Sequence, residues 1–500
     1  MTNKPHKRIS KIKNFFSCRQ HPIIILSYTT KYLWLLIIPL AKYLIATSFD
    51  LQKWIKANWV DILTISVIIG YAVLRWVFVY FKFEDDCIVA HTGYFGISET
   101  RVYFSEISSL SLSQGYFFRM IKACTLFVDT DAKSIQQVDI TLDITEKQAL
   151  QVYEKAIEKC HNKPKYIFNS SKFNLIVFSF LFSSTLSGVI IVLSVIYEAY
   201  RIVGREAEQY ILQRFNTEID KLPLIEHIPK YFLWAGIVIG GGWLISFLSN
   251  LFRHWNFSCT RCSDKLLINS GLGAKRRHVL IRNRINYIDF RQSLLMKAFK
   301  ICSVSINCTG YGKRRLEISA LIPITTNSQA DSSIKILMPG VPEMKADVKT
   351  GKEDVRRFIT MPIVCCLIPP AAAFVLIHFL PNLVNEIKMI AVITLIPLIW
   401  LCAVKFCAAF ITSIALDSRH CMLSYCTLYA YHKIIVETTK ISKISVSQNP
   451  FQRISKTCTV RVYMNSESTS RHTVRGLNYK LVTKLLNNNG FDFDGSEFNA

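Results

Sequence analysis

The sequence lacks the residue patterns with which enzymes usually assemble a catalytic site. It has no HExxH zinc motif, no GxSxG nucleophile turn, no Walker A loop and no GxGxxG motif between a strand and a helix. Acidic residues are scarce, with 35 Asp and Glu against 60 Lys and Arg, and no pair of carboxylates stands out in the polar segments. Because no nucleophile, base and orienting group come together, we predict a protein that is not an enzyme and that has no metal site and no cofactor.

A cleavable signal peptide is also missing from the start of the sequence. The first 20 residues carry six Lys and Arg, but no compact apolar core with a small-residue cleavage site follows them. We therefore expect residues 1–31 to form a basic N-terminus that remains in the cytoplasm.

Long apolar runs are abundant, and 51% of the residues are hydrophobic. A helix needs about 20 apolar residues to cross a hydrocarbon core of roughly 30 Å. Tryptophans, which concentrate at headgroup level, lie in or beside several of the runs. We predict six transmembrane helices in three hairpins, from the apolar runs at residues 32–49, 59–81, 173–197, 231–252, 359–380 and 387–411.

The net charge of +25 is distributed as expected for a membrane protein. Bases dominate the N-terminus and residues 253–357, whereas acids dominate residues 198–229. Because positive residues mark cytoplasmic segments, we predict a multi-pass protein of the bacterial inner (cytoplasmic) membrane with both termini in the cytoplasm. The same distribution indicates that the charge does not serve nucleic acid. The 15 cysteines are then expected to be mostly free thiols in a reducing compartment.

One spaced pattern occurs three times, each time after a hydrophobic hairpin. It consists of an isoleucine, a glutamine, a base and a cysteine at identical offsets, which indicates one unit of hairpin plus polar domain used three times. We predict that the three glutamines tie a strand end or turn to backbone groups and that the three cysteines fill buried strand positions. The three sets are Ile107, Gln114, Arg119 and Cys124; Ile285, Gln292, Lys297 and Cys302; and Ile441, Gln448, Arg453 and Cys458.

Each polar segment shows the period-two alternation of half-buried antiparallel strands. In the second copy the predicted strands cover 265–269, 278–281, 285–290 and 303–306. A closing helix is predicted in every copy, at residues 145–159, 351–358 and 478–486. The first of these opens with a Thr145-x-x-Gln148 capping box.

These motifs resemble those of the bacterial PH-domain membrane proteins of the YdbS/YdbT type, and most closely the longer members with three repeats. The resemblance rests on the strand–glycine–basic-strand run at 266–280, on the spaced pattern in each copy, and on the His21-Pro22 pair before the first apolar run. It covers nearly the whole chain. It implies a PH-like barrel or sheet domain with a C-terminal helix, repeated on membrane hairpins, and it describes a fold and not a reaction.

We therefore predict an α+β membrane protein in which every hairpin is followed by a cytoplasmic PH-like domain. The predicted hairpins are 32–81, 173–252 (with an external segment at 198–229) and 359–411, the PH-like domains are 82–165, 253–358 and 412–488, and a polar tail covers 489–500.

A dense group of bases in the second copy is the strongest indication of function. Each base near an anionic leaflet contributes roughly 1 kcal/mol to binding, so we predict contact with lipid headgroups; the alternative is a solvated surface that only enforces topology. A GxxxG pair, Gly236 and Gly240, predicts a helix-packing face. The bases of this group are Lys275, Arg276, Arg277, Arg282 and Arg284.

The functional interpretation is a scaffold or binding module for anionic lipid headgroups or for a partner protein. Another PH-like membrane protein of the same type is a candidate partner. The alternative is a component of a transport or export system with a path between the hairpins.

The topology is testable with reporter fusions. A fusion at Ala500 should give a cytoplasmic signal and a fusion near Asn216 an external one, because an even number of spans places both termini on the side of the basic N-terminus. An external C-terminus would contradict this arrangement.

Overall fold

The structure is a computed structural model that describes residues 19–29, 51–92, 98–130, 139–157, 166–183, 188–196, 213–214, 217, 230–311, 319–351, 355–464 and 471–491. Its strands are β1 Tyr80–Phe83, β2 Cys87–Thr92, β3 Ser98–Tyr103, β4 Ile107–Gln114, β5 Ala123–Thr130, β6 Ile140–Thr145, β7 Tyr166–Asn169, β8 Ser258–Cys262, β9 Lys265–Ser270, β10 Lys275–Ile281, β11 Ile285–Ser293, β12 Ile301–Cys308, β13 Ala320–Thr326, β14 Val348–Lys349, β15 Ser413–Leu416, β16 His420–Thr427, β17 Ala430–Glu437, β18 Ile441–Ser447, β19 Thr457–Met464 and β20 Arg471–Asn478.

The helices fall into long apolar helices, short helices between strands and amphipathic helices that follow a sheet. They are α1 Leu51–Ala57, α2 Trp59–Phe78, α3 Tyr116–Met120, α4 Glu146–Ile157, α5 Lys172–Leu181, α6 Lys230–His254, α7 Leu294–Ala298, α8 Asn327–Leu337, α9 Val355–Phe379, α10 Val384–Ile411, α11 Pro450–Ile454 and α12 Tyr479–Asn488.

Four helical segments, and not the predicted six, are long and apolar enough to cross a membrane among the described residues. Only 6–11% of their most apolar windows is buried, so their surfaces are available to lipid. The predicted span at 32–49 lies outside the described residues. The four segments are Trp59–Phe78, Phe232–His254, Phe358–Phe379 and Pro381–Ile411.

The predicted span at 173–197 is not one long helix in the described residues, which contain the ten-residue α5 and a separate helical stretch at 188–196. Leu175 and Phe178 of α5 are fully buried against the second domain. Hydropathy does not distinguish side chains that face lipid from those that pack on a sheet, and for this reason the run was predicted as a span.

Strands of successive copies join into continuous sheets. One seven-stranded sheet has the order β6-β5-β4-β10-β9-β8-β7, and a second has the order β13-β12-β11-β17-β16-β15-β14. Three-stranded sheets, β1-β2-β3 and β18-β19-β20, form the two ends. The last three strands of one copy therefore pair edge to edge with the first strands of the next.

The two junctions between copies have the same register. Gln114 on β4 faces Lys275 on β10, and Gln292 on β11 faces Tyr431 on β17. Both pairings are antiparallel. Because Gln114 and Gln292 are the same position of the repeat, the junction is itself a repeated feature.

Each domain has its own hydrophobic core, built between the sheet that it shares with one neighbour and the sheet on its other side. Adjacent residues on β10 illustrate the division, because neighbouring strand residues point to opposite faces. Val279 packs into the core of the first domain, whereas Leu280 packs into the core of the second. The described strands form open sheets that run from one copy into the next, so of the predicted barrel or sheet domains the sheet is the form found.

Closing helices follow the last strand of every copy. In the first, the backbone N–H of Thr145 donates to Gln148 Oε1 at 3.2 Å and that of Gln148 to Thr145 Oγ1 at 3.4 Å, as the capping box predicts. The third copy ends in α12, close to its predicted position.

The prediction for the second copy, 351–358, was wrong. Its closing helix is α8, which the Thr326 side chain caps by accepting from the backbone N–H of Gln329. The polar composition of this stretch concealed an apolar face, since Ala330, Ile334 and Leu337 are buried. Residues 355–358 begin α9 instead.

Each of the four open sheets formed by the described strands has two edge strands, among them β3 and β18 in the three-stranded sheets at the two ends. The edge of β3 carries Glu99 and Arg101, which form an ion pair, and β18 carries the exposed Lys443. Charged side chains on an open edge oppose uncontrolled strand addition. The edges of β4 and β11 instead pair within the chain, with β10 and β17.

The shared sheets predict that a strand of the second domain stabilises the first. Val279→Ala should destabilise by roughly 2 kcal/mol through lost burial and should raise hydrogen exchange mainly in β5 and β6. The matched control, Leu280→Ala, should raise exchange mainly in β12 and β13. If both substitutions affect the second domain alone, the junction does not transmit stability.

Candidate functional site

The three repeated glutamines hold the same position in their domains. Each side-chain amide donates to a backbone carbonyl nine residues later, at the start of the next strand. The distances from Nε2 to the carbonyl oxygen are 3.1 Å for Gln114 to Ala123, 2.9 Å for Gln292 to Ile301 and 2.7 Å for Gln448 to Thr457. The bond closes a strand–helix–strand segment that contains α3, α7 or α11.

A lysine in the left-handed backbone region ends each of these segments. The φ angles of Lys122, Lys300 and Lys456 are 54°, 55° and 55°. The carbonyl of each lysine accepts a hydrogen bond from the first residue of the closing helix, at 2.8 Å from Glu146, 3.0 Å from Asn327 and 3.0 Å from Tyr479. The short helix is therefore fixed at both ends, to its own strand pair and to the closing helix.

Each repeated cysteine follows directly after the residue whose carbonyl accepts the glutamine's hydrogen bond. Cys124, Cys302 and Cys458 are buried, each in the core of its own domain. Burial raises the pKa of the Cys124 and Cys302 thiols to about 12. At neutral pH these thiols are protonated and act as small apolar side chains.

The basic group of the second copy is divided by the structure. Arg282 lies 3.0 Å from Asp264, and Arg284 lies 3.1 Å from Glu106 of the first domain. The Arg277 guanidinium lies 5.9 Å from the centre of the Tyr153 ring. Arg276 is half-buried and Lys275 is exposed. Most of these bases therefore contact protein, and two of them, Arg277 and Arg284, contact residues of the first domain.

Lys275 lies at the end of β10 that is next to the membrane. The turn before it rests on the end of α6, where Gly271 N–H donates to Trp255 O at 2.7 Å and Leu272 N–H donates to Phe252 O at 3.0 Å. Gly271 has a φ of 107°, a conformation that favours glycine. Seven strand residues extend roughly 20 Å, which is more than the Debye length of roughly 8 Å. Arg282 and Arg284, beyond the other end of β10, are thus far less exposed to the leaflet's field.

The glycines of α6 show where the second hairpin packs closely. Added Cβ atoms at Gly236 and Gly240 would meet nothing within 4 Å of described atoms. By contrast, a Cβ at Gly242 would come within 2.5 Å of the Val189 backbone, and one at Gly188 would overlap the Gly242 carbonyl. In the described part of this hairpin, the close approach lies at Gly242 and Gly188 and not at the predicted pair.

Sequence reasoning singled out one base between the repeated glutamine and cysteine of each copy, but not the apolar side chains beside it. The constant number of residues between the glutamine and the cysteine was the one feature of the sequence that could have indicated a functional surface segment there.

The buried thiols predict resistance to alkylation. At pH 8, iodoacetamide should leave Cys124 and Cys302 unmodified in the folded chain, because the thiolate is the reacting form and pKa values near 12 keep it scarce. Peptide mass spectrometry should find modification only after denaturation, or as the pH approaches those values. An exposed control, Ser418→Cys, should react under native conditions, and equally fast reaction of Cys124 would contradict the assignment.

Comparison with known proteins agrees with this three-copy architecture. The chain is 20% identical over 281 residues to the UPF0699 transmembrane protein YdbT of Bacillus subtilis (strain 168), a match covering 51% of this chain and 54% of that protein. The match thus spans about half the length of this relative. The family model for the bacterial PH domain matches residues 23–159, 210–337 and 368–488. The chain therefore belongs to the bacterial PH domain family, as a membrane protein with three copies of the domain.

Proposed function

We propose that the chain is a non-enzymatic scaffold of the bacterial inner membrane, with both termini in the cytoplasm. The observation that carries this proposal is the pair of inter-copy strand pairings, β4 with β10 and β11 with β17. Backbone hydrogen bonds across both junctions join the three PH-like domains into one array. The apolar hairpins fix this array to the bilayer, so its surfaces have a constant orientation toward the leaflet.

Anionic lipid headgroups are the first binding partner that the array suits. Lys275 is exposed at the membrane-proximal end of β10, one residue after the turn that rests on α6. A base at this position is worth roughly 1 kcal/mol near an anionic leaflet. Arg282 pairs with Asp264 within the second domain and Arg284 pairs with Glu106 across the junction, and we assign both arginines a structural role. A partner protein, such as a second PH-like membrane protein, is the other binding partner consistent with a scaffold.

The membrane helices favour the scaffold over a transport path. The four described spans bury only 6–11% of their most apolar windows inside the chain. A path needs polar groups that converge between packed helices. The exposed spans instead suit anchors that hold a cytoplasmic array.

Lipid retention by the full chain tests the proposal. In nanodiscs of phosphatidylglycerol and phosphatidylcholine, the protein should retain phosphatidylglycerol selectively when native mass spectrometry counts the bound lipids. Lys275→Glu should lower that retention by at least about fivefold, since roughly 1 kcal/mol of attraction is lost and repulsion is added.

The matched control is Arg419→Glu, which makes the same charge change at the exposed turn between β15 and β16. That turn lies at the opposite end of its sheet from Gln292, so retention should be unchanged. Equal retention of the two lipids by the unaltered chain would refute the headgroup proposal.

A further inference from the structure

The three short helices expose large apolar side chains at repeated positions. Phe117 and Phe451 occupy the same repeat position and are 78% and 77% exposed. Met120 and Ile454 share another position and are 83% and 82% exposed. In the second copy the exposed residues are Leu295 and Phe299, at 44% and 72%. Exposure of such side chains in the same segment of successive copies indicates a binding surface and not scattered surface apolar residues.

Bases accompany the apolar residues in each copy. One base lies within every short helix and one follows it at the left-handed position. The pairs are Arg119 and Lys122, Lys297 and Lys300, and Arg453 and Lys456. An apolar tip bordered by positive charge is the composition of segments that lie in the interface of an anionic membrane.

The second copy shows most directly which way this segment faces. Met296 of α7 packs with Phe178 of α5, the first helix of the second hairpin. Leu294 packs with Val404 and Ala408, near the end of α10 from which the third domain emerges. The short helix α7 therefore lies between the domain-side ends of two membrane hairpins.

The first and third copies place the segment at the same end. Tyr116, at the start of α3, lies against Gly273 in the turn that rests on the end of α6. In the third copy, Thr457 at the base of α11 pairs with Asn478, and the neighbouring Leu477 bridges to Thr350 ahead of α9. All three segments therefore lie at the sheet end from which a membrane helix begins or ends.

We propose that α3, α7 and α11 insert their apolar side chains into the interfacial layer of the adjacent leaflet, while the bordering bases bind anionic headgroups. The occupant of this surface is the bilayer, because the apolar tips, the positive border and the proximity to the hairpins all suit it. The inference rests on the proposed scaffold, since it describes how the array meets the membrane. The repeated Gln, left-handed Lys and buried Cys then serve to hold an insertion segment in place.

Photo-crosslinking in the full chain identifies what covers these side chains. p-Benzoylphenylalanine should replace Phe117 or Phe451 in chains reconstituted into nanodiscs of phosphatidylglycerol and phosphatidylcholine. Both are exposed aromatic positions, so the change leaves the cores intact. After irradiation, mass spectrometry should find lipid adducts at both positions.

The matched control is Tyr103→p-benzoylphenylalanine. Tyr103 is 52% exposed but lies at the end of β3 away from the membrane, beside the turn that leads to β4, and it should give no lipid adduct. In the Phe451 probe, Arg453→Gln with Lys456→Gln should reduce the share of phosphatidylglycerol among the adducts.

Adducts to another polypeptide, or the absence of lipid adducts at both sites, would overturn the insertion proposal and assign the surface to a protein. That result is distinguishable from failure of the scaffold's headgroup binding, because the Lys275→Glu retention experiment leaves these side chains unchanged. Lipid adducts at Phe117 and Phe451 support insertion whichever headgroup is retained.

Discussion

The structure depends on backbone pairing between strands of different copies. A sheet edge presents unpaired N–H and C=O groups that need a partner, and here β4 and β11 find theirs on β10 and β17 of the following copy. The pairing uses the same register at both junctions, so equivalent positions of the repeat join each copy to the next. The paired strands also contribute side chains to both domains, since Val279 packs in the core of the first domain and Leu280 in the core of the second. Neither junction can open without exposing both hydrogen-bonding groups and apolar surface.

This pairing determines where the membrane hairpins lie relative to the PH-like domains. The strands that flank the second and third hairpins pair with each other, β7 with β8 and β14 with β15, and the array therefore positions both ends of each of these hairpins. The repeated Gln–Lys–Cys segment lies at the sheet ends from which apolar helices begin or end. Its hydrogen bonds from Gln114, Gln292 and Gln448 explain why that spacing is constant. Rigid support is what a surface needs if its exposed apolar side chains are to meet lipid in all three copies.

Sequence patterns predicted the local elements well and their assembly poorly. Period-two alternation located β9 to β12, and the capping box located α4, because these signals reside in neighbouring residues. The pairing of β4 with β10 was not predictable, since alternation defines a strand's faces but not its neighbour. Polar residues concealed α8, whose apolar face depends on three positions. The lipid role of Arg282 and Arg284 rested on their density, while their acidic partners, Asp264 and Glu106, meet them only in the folded chain.

The central claim is that the three domains form one rigid unit, and a distance between the outer domains tests it most directly. Spin labels at Lys147 and Lys480, exposed residues of the first and last closing helices, report that distance by pulsed electron paramagnetic resonance. The paired junctions predict one narrow distance distribution in nanodiscs. A broad distribution, as produced by domains joined only through flexible hairpins, would contradict the account.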